Sequence, residues 1–292
     1  MRYLLVLFLL AACTLSSEFD EKASVTQPTS DSQNHSASLS INGYTPFSPE
    51  IIATLEVIYA RGLALGNNPH RFSKVGDSIT VSPNFLTPLD YGMYDLGTAS
   101  YLQVVIDHFS GSFAVDSLAA DIGWAAWGVL DQRFSPPGCP APPLICEYQT
   151  RRPILAVILF GTNDSGYRTL AQYQADLEQI VATSIDMGVI PLLTTIPNRP
   201  EMPNHIIAMN DVVYDVAEAN NLPVIDFYAA TLSLPRQGLS TDNLHPSAPA
   251  GGWENAARFV PPYTESGYVI RNWITLEMLY WVWDALLRTS AN

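Results

Sequence analysis

Four side chains in this sequence can together do one kind of chemistry. Ser78 stands in "FSKVGDSIT", directly after Gly76 and Asp77. Asn163 stands in "FGTND", and Asp242 and His245 share "STDNLHP". A serine hydroxyl is a poor nucleophile until a base accepts its proton, and His245 is a base of the right type. An acid must orient that imidazole and stabilise its charged form. Asp242, three residues earlier, can do so from the same loop. The Asn163 side-chain NH₂ can donate to an oxygen that becomes negative in the transition state. These are the parts of an acyl-transfer site. Each stretch also has a plainer reading: Ser78 could cap a helix, and Asn163, Asp164 or the 242–246 segment could be turn. Their joint presence in this order favours the site. Asp77 fits a turn-supporting role better than that of the triad acid.

The elements that must hold these residues alternate along the chain. "FSPEIIATLEVIYARGLALG" opens with a helix start at Ser48-Pro49 and carries Ile51, Ile52, Leu55, Ile58 and Tyr59 on one face. "RFSKVGDSIT" predicts a strand that ends in a turn, "ASYLQVVIDHF" a helix, and "SFAVDSLA" a short strand or extended piece. "PILAVILFG" is a continuous apolar run, as expected of a strand buried on both faces of a parallel sheet. "YRTLAQYQADLEQIVATSIDMG" predicts a long helix stopped at Gly188. "VIPLLTTI" then predicts a strand, "IIAMNDVVYDVAEANN" a helix and "LPVIDFY" a strand. The apolar C-terminal segment, "YVIRNWITLEMLYWVWDALLRT", holds Glu277 and Asp284 and is flanked by Arg271 and Arg288. It is expected to pack on the sheet rather than span a membrane. Alternation of this kind argues for an α/β fold with a parallel sheet covered on both faces. All three chemical blocks then fall at or after carboxyl ends of strands, where such folds gather their reactive groups. The remaining histidines have ordinary roles. His70 and His205 suit loops or helix ends, His108 falls late in a helix, and His35 lies in a polar N-terminal stretch.

The order and spacing of G-D-S, G-T-N-D and D-x-x-H-P closely resemble the SGNH, or GDSL-type, hydrolase family over about residues 72–250. The resemblance implies a three-layer αβα sandwich around a mainly parallel sheet, flavodoxin-like in outline. It implies Ser78 as nucleophile, Asp242 and His245 as its triad partners, and Asn163 with the Ser78 N–H as oxyanion donors. The family also uses a glycine N–H after the second strand. Here the matching stretch is "SLAADIGWAAWG", and either Ala120 or Gly123 can stand there. No metal and no organic cofactor is implied. The implied activity is serine-dependent hydrolysis of lipid or acylated glycan esters. The alternatives are acyl transfer on the same triad, or a catalytically silent binding protein.

The N-terminus predicts an address. Arg2 precedes the apolar run "YLLVLFLL", which is too short to span a bilayer and fits an export signal. The small residues before Cys13 in "LAAC" resemble a bacterial lipobox, with cleavage before Cys13 and lipid attached to its sulfur. Three parts are therefore expected: a signal peptide at 1–12, a lipid-anchored polar tether at 13–45 and a hydrolase domain at 46–292. The chain would be exported, anchored on the extracytoplasmic face of a membrane, and monomeric. The full chain of 292 residues carries −14, and loss of Arg2 with the signal would leave −15. Such a surface repels polyanions, which sets nucleic-acid binding aside. In an exported protein Cys139 and Cys146 are expected to form a local disulfide, worth ~2–3 kcal/mol. Their proline-rich stretch, "CPAPPLIC", is expected to be non-helical. If the anchor is as read, Cys13→Ser should lose the lipid mass and move from the membrane to the soluble fraction. Unchanged mass and partitioning would rule it out.

Overall fold

A computed structural model describes residues 47–286. The expected signal peptide, Cys13, the tether with His35, and Arg288 lie outside them. Helix α1 (Pro49–Ala64) begins where Ser48 accepts the Ile51 N–H, with proline in its first turn. Strand β1 (Asn68–Gly76) leads straight into a one-turn helix, α2 (Ser78–Val81). Short elements follow: α3 (Thr87–Asp90), β2 (Tyr94–Asp95) and α4 (Gln103–His108). Then come α5 (Pro143–Arg151), β3 (Pro153–Leu159), α6 (Leu170–Asp186), β4 (Ile190–Thr194) and α7 (Pro203–Ala219). The chain closes with β5 (Val224–Ile225), α8 (Phe227–Thr231), β6 (Ala257–Arg258) and α9 (Gly267–Leu286).

Strands β1, β3, β4 and β5 form one parallel sheet in the order β1-β3-β4-β5. Every residue of β3 is buried, because the strand is central and covered on both faces. Helices α1 and α9 cover one face, and α5, α6 and α7 the other. This is the three-layer α/β arrangement expected. β2 and β6 make a separate two-stranded parallel ribbon. Where α1 meets the turn into β4, Gly62 and Gly188 touch through their backbones. A methyl on either would overlap the other, and Gly188 has φ +68°.

Several local expectations need correction. The short strand or extended piece expected over "SFAVDSLA" forms no strand, and its one sheet contact is a bridge from Gly76 to the next residue, Ala120. Its backbone is claimed by side chains instead: Lys74 donates to the Phe113 carbonyl, Glu147 accepts the Leu118 N–H, and Ser117 accepts the Ala119 N–H. Groups satisfied in this way do not need a ladder. "ASYLQVVIDHF" starts as a 3₁₀ turn (Gly97–Leu102) and becomes α-helical only from Gln103. His70 lies in β1 rather than a loop, whereas His205 falls near the start of α7 and His108 ends α4. The Cys139–Cys146 disulfide is present, but Cys146 is helical. Pro143 occupies the first turn of α5, where a missing N–H costs nothing, so the prolines start this helix instead of forbidding it. Among the described residues no helix is long and apolar enough to cross a membrane. Arg271 does not flank α9 but lies inside it, 1% exposed.

Candidate active site

The nucleophile turn is dictated by close packing at the end of β1. A methyl on Gly76 would overlap the Leu159 carbonyl and the Thr80 hydroxyl, so only glycine fits between the strand end and α2. The Gly76 N–H donates to the Ala119 carbonyl, and its own carbonyl accepts the Asp121 N–H. Asp77 is the N-cap of α2, its Oδ1 taking the Ile79 N–H at 2.9 Å. It supports the turn, as expected of it. Ser78 thus becomes the first residue of α2, half-buried, with its backbone N–H at a helix N-terminus.

The Ser78 hydroxyl lies 2.9 Å from His245 Nε2, and His245 Nδ1 lies 2.7 Å from Asp242 Oδ2. The predicted triad residues, 167 positions apart at the outer pair, are therefore in contact. The loop that carries the acid and base is closed on itself. Ser240 N–H donates to the His245 carbonyl, and Asp242 Oδ1 accepts the N–H groups of Leu244 and His245, each at 3.0 Å. Arg236 adds bonds to the Ser240 carbonyl and to Asn243 Oδ1. Asp242 thus folds the turn with one oxygen and holds the imidazole with the other. Slight burial pulls its carboxyl upward, but hydrogen bonds from Ser240, His245 and Leu244 outweigh this and hold it well below the usual range. It remains an anion at any pH where the imidazole can act as a base.

Asn163 follows β3, and its Nδ2 donates to the Trp124 carbonyl at 2.9 Å. The neighbouring Asp164 is fully buried and accepts the N–H groups of Gly161 and Ala126, both at 3.0 Å. These bonds lock the loop after β3 to the loop after Ala120. Of the two positions considered for the further donor, Ala120 bridges Gly76 beside the nucleophile. Gly123 lies in an exposed left-handed turn, φ +78°, three residues on.

Buried polar groups behind the site tie these pieces together. Glu147 in α5 accepts the Ser73 hydroxyl at 2.7 Å and the Leu118 N–H at 2.8 Å, joining β1 to the Ala120 segment. Arg271 in α9 donates to the Ile79 carbonyl at 2.6 Å and to Thr80 Oγ1 at 3.1 Å, with its guanidinium 3.5 Å from the Phe85 ring centroid. Sequence reasoning missed Trp124, Asp164, Glu147 and Arg271 as supports. For Arg271 a signal was present: one cation inside an apolar helical run. For Trp124 there was none, because it acts through its carbonyl.

The family model for GDSL-like lipase/acylhydrolases matches residues 75–250, which hold all four chemical side chains. Among solved structures, a lipase/acylhydrolase from Enterococcus faecalis is 23% identical, with a TM-score of 0.47, over 72% of this chain and 94% of its own. An acetylxylan esterase from Geobacillus stearothermophilus is 18% identical, with a TM-score of 0.48, over 72% and 93%. A psychrotrophic esterase from Pseudoalteromonas sp. is 17% identical, with a TM-score of 0.46, over 73% and 98%. No curated protein matches the chain.

Burial pushes the Asp77 carboxyl up to about 7, against the opposing pull of the Ile79 N–H and the Arg271 charge. Between the ordinary carboxylate value and 7 the native state keeps a proton that the unfolded chain has lost. Native stability therefore falls as pH rises through that window. Asparagine keeps the cap acceptor and removes the titration. Asp77→Asn should thus gain stability relative to the parent by roughly 1–3 kcal/mol between pH 4.5 and 7.5. Urea unfolding at several pH values measures this, and a pH-independent difference would contradict it.

Proposed function

Because the chain belongs to the GDSL-like lipase/acylhydrolase family and is an ester hydrolase of that type, we propose that it works through an acyl-enzyme on Ser78. The observation that carries this reading is the continuous Asp242–His245–Ser78 hydrogen-bond chain ending at a half-buried hydroxyl. His245 Nε2 takes the Ser78 proton as Oγ attacks the ester carbonyl. The resulting oxyanion is met by the Ser78 N–H, the second hydrogen of the Asn163 amide and the Ala120 N–H. Donors fixed in advance cost no reorganisation when the charge appears. The bond from Asn163 to the Trp124 carbonyl supplies that fixation. As the intermediate collapses, His245 returns its proton to the leaving alcohol. Water, deprotonated by the same imidazole, then attacks the acyl-enzyme and releases the acid. The Asp242 anion stabilises the imidazolium through both halves.

The working address is the extracytoplasmic face of a membrane, with the domain acting as a monomer tethered through Cys13. The apolar run before Cys13 supports the address, and one chain supplying every group of the site supports the monomer. At such a face lipid esters and acylated glycans are the available substrates.

A serine-directed phosphonate should label Ser78 alone, and Ser78→Ala and His245→Ala should each remove nearly all turnover of p-nitrophenyl acetate. The double variant should lose little more, because the residues act as a unit. Asn163→Ala should lose about 10²–10³ in kcat with KM nearly unchanged, since its amide matters most once charge has developed. Labelling at another serine, or a folded Asn163→Ala enzyme within a few-fold of parental kcat, would overturn the assignment.

A further inference from the structure

Two loops carry the side-chain and backbone donors assigned above, and the same two loops raise a patch of aromatic rings. Trp124 lies four residues after Ala120, and Tyr167 four after Asn163. Trp124 packs over Gly128, and its ring centroid lies 5.8 Å from that of Phe134. Phe134 lies 5.5 Å from Trp127, whose indole N–H donates to the Tyr167 hydroxyl at 3.2 Å. The rings thus run without a break from the backbone that orients Asn163 out to solvent. Trp124 and Trp127 form the half-buried backing. Tyr167 and Phe134 are 60% and 40% exposed.

Exposed rings on the two loops that carry the oxyanion donors suit a ligand surface. Its border says which ligand. Arg133 lies over the Trp127 ring and is forked to Asp131, with Gln132 exposed between them. Together with the Tyr167 hydroxyl, these put donors and acceptors around apolar ring faces. An acyl chain has no use for such a border and is better served by a dry cleft. A pyranose fits it, because its C–H face is apolar and weakly positive while its hydroxyls project from the rim. The C–H face complements the negative face of an aromatic ring.

We propose that Tyr167 and Phe134 form a stacking platform for a sugar ring. The alcohol portion of the substrate would be a pyranoside, held with its ester at the Ser78–Asn163 centre. The proposal rests on the hydrolase reading and narrows its substrate to O-acylated carbohydrates. Trp127 is the strut that fixes the Tyr167 ring, and Asp131 and Arg133 meet the sugar hydroxyls.

The test compares three esters: a mono-O-acetylated methyl pyranoside, ethyl acetate and ethyl octanoate. In Tyr167→Ala and Phe134→Ala, KM for the acetylated pyranoside should rise roughly tenfold, and further in the double variant, with kcat little changed. Turnover of ethyl acetate, whose alcohol portion has no ring to stack, should stay within twofold of the parent, which also reports an intact fold. Tyr167→Phe keeps the ring and should behave nearly as the parent. If the variants change the octanoate-to-acetate ratio instead, the patch takes the acyl chain and the proposal is wrong. Pyranoside kinetics equal to the parent's in both alanine variants would also overturn it. A parent that cleaves ethyl acetate but not the pyranoside rejects the platform and leaves the hydrolase reading standing. A parent that cleaves none of the three rejects both.

Discussion

The geometry of the site depends on the absence of one methyl group at Gly76. At that point the end of β1 must approach the Leu159 carbonyl of β3, admit Thr80 of the following turn, and pair on its other side with Ala120. Any side chain there would push the strand ends apart. The nucleophile, the Asn163 loop and the Ala120 segment are each one or a few residues from this crowded spot. Their mutual distances are therefore set by backbone packing rather than by side-chain adjustment, and interiors packed to crystal density give little.

A second layer of constraint comes from ionisable groups withdrawn from water. Asp77, Asp164, Glu147 and Arg271 are all fully or almost fully buried, and each is spent on backbone groups next to the reactive residues. Burying such groups is costly, as the raised carboxyls of Asp77 and Asp164 and the lowered guanidinium of Arg271 record. Apolar residues of similar volume would be cheaper to bury. They could not grip a carbonyl or an N–H at a chosen angle. Asp242 belongs to a different regime: it is half exposed, and although burial raises its carboxyl, its several hydrogen bonds together outweigh that and lower it.

What could be seen in the sequence followed physical signal strength. β3 was legible because seven consecutive apolar residues have no other home than a sheet centre. The triad was legible because its chemistry restricts residue type, and because Asp242 and His245 are close in sequence. The Ala120 segment was not legible as a near-isolated bridge, since its backbone partners are Lys74 and Glu147, which propensity does not couple to it. The α5 start was misjudged because proline was weighed as a breaker without regard to its position in the first turn. Ala120 and Gly123 could not be separated by composition, because a donor that acts through its N–H leaves no mark on the side chain.

The contact from Arg271 to the Ile79 carbonyl spans 192 positions, and this separation bears on time as much as on position. The turn that presents Ser78 is made early in the chain, but its clamp belongs to α9, the last helix among the described residues. Long-range closure of this kind is slow, because loop entropy must be lost before the contact repays it. The grip on the Ile79 carbonyl can therefore close only once α9 is present. A chain still emerging, or one cut short before α9, has its serine in place without the grip that sets it.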